Sequence, residues 1–139
     1  MGKSQASMEH VMIVAVAFLT IVPMVYLFYS YSQSSVEDIN FARLHKFGNT
    51  LVNTAETVYY LGEPTRITLE ETVPEGIKNM TIKIDGQIYE LIFTLQDGSD
   101  AVYSSNVNIS GIFDEYDYSS GLKRIIIESK GYYVLINVT

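Results

Sequence analysis

Charge divides this chain into an apolar first part and a mixed remainder. No residue between Val11 and Ser35 carries a formal charge, and the stretch from Val11 to Phe28 contains a single polar side chain, Thr20. A membrane-spanning helix needs about 20 apolar residues to cross roughly 30 Å of hydrocarbon, and this run is long enough. Three tyrosines, a residue type that favours the membrane interface, lie near the C-terminal end of the run: Tyr26, Tyr29 and Tyr31. The pattern predicts a transmembrane helix.

Helical periodicity continues beyond Ser35, now with charged residues between the apolar ones. Two adjacent apolar stripes share Leu44 and Ala55, and together they predict one broad buried face: Leu44, Phe47, Leu51, Ala55 and Val58; Phe41, Leu44, Val52, Ala55 and Tyr59. The sequence Gly62-Glu63-Pro64 predicts the end of the helix. A continuous helix from Met8 to Leu61 would be roughly 80 Å long. That length does not fit inside a compact globule of 139 residues.

Strand patterns follow from Arg66 onward. Apolar and polar residues alternate in short segments: RITLEETV, MTIKI, IYELIFTL, AVY, VNI, RIIIES and YYVLINV. Turns are predicted at Asp85-Gly86, at 97–100 and at Lys130-Gly131. We expect an antiparallel meander with one face on the helix between Phe41 and Tyr59. The predicted fold class is α+β, with a long N-terminal hydrophobic helix followed by a small antiparallel β-sheet domain at 63–139.

Three interpretations compete for the apolar run. A secretory signal has a basic n-region, a 7–15 residue apolar core and a small-x-small cleavage site. Ser32-Gln33-Ser34 matches such a cleavage site. The apolar run of this chain is longer than such a core, however, and Lys3 is the only basic residue before it. A plain single-pass anchor is the simplest structural alternative. The third interpretation depends on the residues before the run.

Those residues are Lys3-Ser4-Gln5-Ala6-Ser7-Met8-Glu9. This stretch resembles the class III signal peptide of archaeal type IV pilin-like proteins, in which a short basic leader precedes a Gln-x-Ser-x-Glu pattern and a hydrophobic helix. Gln5, Ser7 and Glu9 occupy the patterned positions. Ser4 departs from the family, which often has Gly there. The resemblance is sharp over residues 3–30 and architectural beyond them.

The resemblance implies a processing site and an assembly site. A prepilin-type signal peptidase would remove residues 1–4 by cutting between Ser4 and Gln5, with Lys3 supplying the positive charge of the leader. Residues 5–35 would then form the membrane segment and later the filament core, and residues 36–62 the amphipathic half of the helix. Glu9 would become the fifth mature residue, whose carboxylate meets the new N-terminal amine of a neighbouring subunit. Pro23 stands at the depth where pilin-like helices often bend.

Glu9 also has a simpler explanation. A carboxylate near a helix N-terminus complements the macrodipole, a contribution of about 0.3–1 kcal/mol. An ionised Glu at the bilayer edge nevertheless costs energy unless it finds a partner. The two roles are compatible. His10 beside it is interpreted as an interfacial residue, because no second His or Cys lies nearby.

Three tripeptides match the N-glycosylation sequon, and they begin at Asn79, Asn108 and Asn137. Two acidic clusters, Asp97/Asp100 and Asp114/Glu115/Asp117, contain the carboxylates that calcium prefers, but solvated hairpin loops explain both clusters equally well. No catalytic motif is present, and we expect no metal, no cofactor and no enzymatic activity.

Composition narrows the choice of partners. The chain has 9 Lys and Arg against 16 Asp and Glu, a formal charge of −7, and no basic patch suited to displacing counterions from nucleic acid. Cysteine is absent, which excludes thiol chemistry and disulfides.

We therefore expect a structural subunit of a type IV pilus-like filament. It would be a membrane precursor first and then a helical homopolymer on the cell surface, with adhesion among its possible roles. The alternative is a single-pass anchored surface protein whose β domain binds a ligand without polymerising. A third class, a β domain released near Ser34, predicts a mature N-terminus in the thirties.

Overall fold

The computed structural model describes the backbone of residues 2–139 and the side chains of residues 7–32 and 39–139. The chain divides into two compact units, Met1–Ile39 and Asn40–Thr139. Helix α1 spans Gly2–Leu61 and contributes to both units. Strands and one short helix complete the second unit, so the predicted α+β layout is confirmed.

The first unit is the apolar part of α1. The segment Ser7–Ser32 is long and apolar enough to cross a membrane, and none of its most apolar stretch is buried within the protein. This finding confirms the predicted membrane-capable helix at the level of length and composition.

The C-terminus of α1 lies where Gly62-Glu63-Pro64 predicts it. Gly62 adopts a φ of 75°, which a residue without a Cβ reaches at little cost. Its N–H donates to the carbonyl oxygens of Val58 at 3.2 Å and Tyr59 at 3.1 Å, so two of the last carbonyls of the helix have a partner. The chain then enters the first strand.

Seven strands and a second helix follow α1. Their bounds are β1 Arg66–Val73, β2 Ile77–Asp85, β3 Ile88–Leu95, β4 Asp100–Ser105, β5 Ile109–Ser110, α2 Glu115–Tyr118, β6 Gly121–Ser129 and β7 Val134–Val138.

The strands form two sheets, which corrects the expectation of a single antiparallel meander. Strands β2, β3 and β4 do form a meander, and β6 and β7 form the expected closing hairpin. The other sheet has the order β1-β6-β7-β5, in which β1 pairs with β6 across a long stretch of sequence and β5 runs parallel to β7. Leu69 stands opposite Ile125, and both point towards the core. β1 pairs with β6 and not with β2, its neighbour in sequence, because this pairing buries the apolar faces of β1 and β6 together.

One hydrophobic core joins the second half of α1 to both sheets. Leu51, Ala55 and Val58 of the first predicted stripe are completely buried, and Phe47 contacts Phe93 of β3 with ring centroids 5.7 Å apart. Phe41, in the second stripe, is exposed instead. The apolar face of residues 44–58 therefore packs on the sheets, as the pattern predicts.

Candidate functional site

The apolar segment of α1 exposes large side chains around its whole circumference. Contiguous exposed apolar surface of this size marks a site that lipid or protein covers. The exposed residues between Val11 and Phe28 include Val11, Met12, Ile13, Val14, Val16, Phe18, Leu19, Ile21, Val22, Met24, Val25, Leu27 and Phe28.

Glu9 stands at the start of this surface. Its side chain is exposed, and it lines a shallow groove with Met12, Ile13 and Val16, which lie three, four and seven positions further along the same helix face. The side chains of the predicted processing residues Lys3, Ser4 and Gln5 lie outside the described residues. The structure therefore places the predicted assembly carboxylate next to apolar side chains that a neighbouring helix could contact.

Two residues interrupt the apolar surface further along. The Thr20 hydroxyl donates to the carbonyl oxygen of Ala17 at 2.8 Å and also reaches that of Val16 at 3.2 Å. Its proton is therefore satisfied within the helix. Pro23 lies inside α1 and has no N–H to offer to the carbonyl of Leu19. That carbonyl needs a donor from elsewhere when water is excluded.

The three sequons differ in accessibility. Asn79 is exposed on β2, an edge strand, next to a register shift between Ile77 and Asn79. Asn108 is half-buried, and its carbonyl oxygen accepts from the N–H of Val134 at 2.8 Å. Asn137 is exposed, but it belongs to β7, which is flanked by strands on both sides. Of the three, only Asn79 is exposed on an edge strand.

The first acidic cluster caps a hairpin turn. Asp97 Oδ1 accepts from the Ser99 N–H at 2.8 Å and from the Ser99 hydroxyl at 2.6 Å. The hydroxyl is the main reason why the pKa of this carboxyl lies below its ordinary value, and the N–H adds to the effect. Asp100 Oδ1 accepts from the hydroxyl of Thr94 at 2.7 Å. Both carboxylates therefore have structural partners.

The second cluster forms a capping box around α2. Asp114 Oδ1 accepts from the N–H groups of Tyr116 and Asp117, while Asp117 Oδ2 accepts from the Asp114 N–H at 3.0 Å. Among the described residues, no group of three or more His, Asp or Glu side chains could hold a metal ion. Neither acidic cluster thus presents a preformed calcium site.

Sequence reasoning missed helix α2 and the aromatic contacts near it. The amine of Lys123, a buried residue on β6, lies 3.3 Å from the centroid of the Tyr116 ring. The Asp114-x-x-Asp117 spacing was the available signal for a capping box. His45 contacts Phe41 and Tyr103 through its ring, at centroid distances of 6.4 and 5.5 Å. These contacts connect α2 to β6 and α1 to β4.

An open groove lies between the β1–β2 turn and α2. Its lining is mainly polar and includes Glu75, Lys78, Gln96 and Glu115. Among the described residues, no buried side-chain nitrogen or oxygen lacks a hydrogen-bond partner, so no orphaned polar group points to a ligand there.

Comparison of the chain with protein-family models, curated proteins and solved structures finds no match.

Proposed function

We propose that this protein is a structural subunit of an extracellular type IV pilus-like filament. A prepilin-type peptidase removes residues 1–4 of the membrane precursor, and the mature chain assembles through its hydrophobic helix. The observation that carries the proposal is the order of features at the N-terminus. The Gln-x-Ser-x-Glu pattern at Gln5, Ser7 and Glu9 leads directly into a helix whose apolar surface the chain itself leaves uncovered.

The physical argument concerns what covers this helix. The span Ser7–Ser32 is unsuited to water on any face, so it needs lipid or other protein around it. Lipid surrounds the helix before assembly, and the equivalent helices of other copies surround it in the filament. Packing between copies replaces lipid contact with protein contact, and this exchange is favourable when the side chains interlock.

Glu9 supports the proposal through its position and charge. It is the only formally charged residue between Lys3 and Glu37, and its side chain is exposed beside the apolar groove. Cleavage before Gln5 creates a free amine that a neighbouring Glu9 carboxylate can bind. Pairing the two charges reduces the cost of burying either one. Processing and assembly are thereby linked through one residue.

The first experiment is N-terminal sequencing of the full chain from two fractions, the membrane and the material sheared from the cell surface. The proposal expects a mature protein that begins at Gln5 in the sheared fraction. A chain that begins at Met1 or Gly2 and stays in the membrane indicates the anchored surface protein instead. A start in the thirties indicates a released β domain.

A substitution separates assembly from insertion. Glu9→Ala is expected to abolish the sheared fraction while leaving the membrane fraction intact. Glu115→Ala is the matched control, because it removes an exposed carboxylate from the second unit. Wild-type yields of sheared filament from Glu9→Ala would overturn the assembly role of Glu9.

A further inference from the structure

Strand β1 lies at one side of its sheet, so one of its two edges has no neighbouring strand among the described residues. The hydrogen bonds of β6 show which backbone groups of β1 face that free edge. The Ser129 N–H donates to the carbonyl oxygen of Thr65 at 2.9 Å, one position beyond the pair of Arg66 and Glu128. In an antiparallel pair every second residue exchanges hydrogen bonds with its partner. The odd-numbered residues of β1 therefore bond to β6, and the even-numbered residues direct their N–H and C=O groups to the free edge: Arg66, Thr68, Glu70 and Thr72.

The pairing of β6 with β7 supports this assignment. Arg124 exchanges both of its backbone bonds with Thr139, at 3.1 and 2.7 Å. The even-numbered residues of β6 thus bond to β7, which leaves the odd-numbered ones, such as Ile125 opposite Leu69, for β1. Backbone groups along a free edge are a template for pairing with another strand. The free edge of β1 therefore presents a defined row of donors and acceptors.

We propose that the free edge of β1 pairs antiparallel with the same edge of a second copy, about a two-fold axis at Thr68. In this register the two Thr68 residues stand opposite each other, Arg66 stands opposite Glu70 of the second copy, and Ile67 stands opposite Leu69 of the second copy. A two-fold contact closes after two copies, whereas a filament contact repeats. The inference concerns the second unit alone and does not rest on the proposed function.

The backbone favours this register because both members of each bonded pair belong to the even-numbered row. Arg66 with Glu70, Thr68 with Thr68, and Glu70 with Arg66 each exchange two bonds, about six hydrogen bonds in all. Moving the axis by one residue, to Ile67 or to Leu69, keeps even-numbered residues opposite each other. It also places Thr68 or Thr72 opposite Arg66, however, so that Arg66 and Glu70 no longer face each other. The charges therefore select the axis at Thr68.

The charges of the outer face alternate across the proposed pair. Glu70 binds Arg124 of its own copy at 3.0 Å. Glu128, which stands opposite Arg66, binds Lys130 at 2.9 Å, and in the described part of the chain no ion pair includes Arg66. Pairing places the Arg66 guanidinium beside Glu70 of the second copy, so positive and negative charges alternate over four strands. Opposite charges that face each other directly stabilise a strand pair, and like charges destabilise it.

The core-facing side of β1 also continues across the axis. Ile67 and Leu69 are only half-buried, whereas Ile127 and Ile125, their partners on β6, are completely buried. In the pair, Ile67 contacts Leu69 of the second copy, and the apolar row extends from one sheet into the other. Charged side chains on an edge discourage pairing with most strands. These charges are complementary to the same edge in one register, which identifies a second copy as the occupant.

Cysteine cross-linking tests the register, because the natural chain contains no cysteine. In the proposed pair the Cα atoms of the two Thr68 residues are about 5.5 Å apart, a separation that a disulfide spans. Thr72→Cys is the matched control for Thr68→Cys, since both threonines are exposed on the same face of β1. The two Thr72 residues are eight positions apart along the paired strands, roughly 27 Å.

The full chain is produced in cells that lack a prepilin-type peptidase, so that filament assembly does not contribute, and is extracted in detergent. Copper phenanthroline then oxidises paired thiols to a disulfide. Any association through α1 affects both variants equally. Thr68→Cys is expected to give about ten-fold or more disulfide dimer than Thr72→Cys, because Cα atoms more than about 7 Å apart are not bridged without backbone movement. Equal yields, or no dimer from Thr68→Cys, would overturn the proposal.

A second measurement tests the charge match in the Thr68→Cys background. Arg66→Glu sets like charges opposite each other at both Arg66–Glu70 pairs, and Glu70→Arg does the same with the opposite sign. Each is expected to lower the dimer yield about three-fold or more. An equal mixture of the two variants should recover the yield, because every Glu then faces an Arg. A mixture that gives no more dimer than the separate variants would contradict the register. A filament that forms although Thr68→Cys gives no dimer would remove this inference and leave the proposed function standing.

Discussion

The ring of Tyr103 lies directly against the backbone of Gly48, so that a Cβ added to Gly48 would stand 2.5 Å from Tyr103 Cε2. Gly48 is in the interior of α1, in its second half, where glycine costs about 1 kcal/mol relative to alanine. Tyr103 is on β4, and its ring also meets Phe93 at a centroid distance of 5.6 Å. The weak helix former thus stands where a ring from β4 packs directly on the helix.

Gly48→Ala is expected to destabilise the protein although it raises helix propensity. The new methyl group must displace a buried ring, which costs about 1–3 kcal/mol. Chemical unfolding measures the free energy of unfolding, and Asn53→Ala, at an exposed position of the same helix, serves as the control that changes propensity alone. Adding Tyr103→Leu to Gly48→Ala should recover part of the loss. A stabilised Gly48→Ala protein would show that the ring moves freely.

Tyr103 should make stability depend on pH in the alkaline range. Burial raises the pKa of the Tyr103 hydroxyl above its ordinary value of 10.0. A raised pKa in the folded state means that the native protein holds this proton more tightly than the unfolded chain does. The resulting stabilisation is complete below the ordinary value and is lost as the pH rises through the folded-state value.

Urea unfolding between pH 8 and 11, compared for the wild type and Tyr103→Phe, measures this effect. The difference in free energy of unfolding between the two proteins should change with pH only as the tyrosine titrates. Tyr132→Phe, at an exposed turn, is the control and should follow the wild type. Identical pH dependence of all three proteins would contradict the raised pKa of Tyr103.

Asp114→Ala should lower the stability of the second unit by about 1 kcal/mol through loss of the N-cap of α2. The carboxylate of Asp114 already accepts two backbone N–H groups, and Asp117 returns one bond. Thermal unfolding is therefore expected to be the same in calcium and in chelator. Glu115→Ala, which removes an exposed neighbour, should have little effect. A calcium-dependent rise in Tm that Asp114→Ala abolishes would indicate that the cluster does bind the ion.

Asn79 should carry glycan more readily than the other two sequons. It is exposed on an edge strand beside a break in the register, whereas Asn108 is half-buried and Asn137 belongs to an interior strand. Mass spectrometry of protein from the native cell surface tests this expectation. Asn79→Gln should remove most of the attached mass, and Asn137→Gln little of it. Occupancy mainly at Asn108 would contradict the ranking by accessibility.

Local signals account for what could be predicted from the sequence. The stop at Gly62, the hairpin at Asp85-Gly86 and the buried stripe through Leu51 each depend on residues a few positions apart, and each is found in the structure. The exposed apolar helix was predictable for the same reason.

The rest depends on contacts between distant residues. Nothing near Leu69 indicates that its partner is Ile125, because either β2 or β6 could present a matching apolar face. The contact of Tyr103 with Gly48 follows from that arrangement of the sheets. Helix α2 was missed for a different reason, since Asp114 and Asp117 were interpreted as an acidic cluster and not as the two halves of a cap.

The pairing of β1 with β6 also governs the order in which the second unit can form. The paired residues of β1 and β6 are separated in sequence by 48 positions (Val73 and Gly121) to 62 positions (Arg66 and Glu128). The meander β2-β3-β4 can close as soon as Ser105 has been made, but β1 has no neighbour in its sheet until β6 follows. Contacts this distant in sequence slow folding. Nearly the whole chain must therefore be synthesised before β1, the strand that follows α1 in sequence, has its partner. A product that stops short of Gly121 leaves the edges of β1 exposed to pairing with other chains.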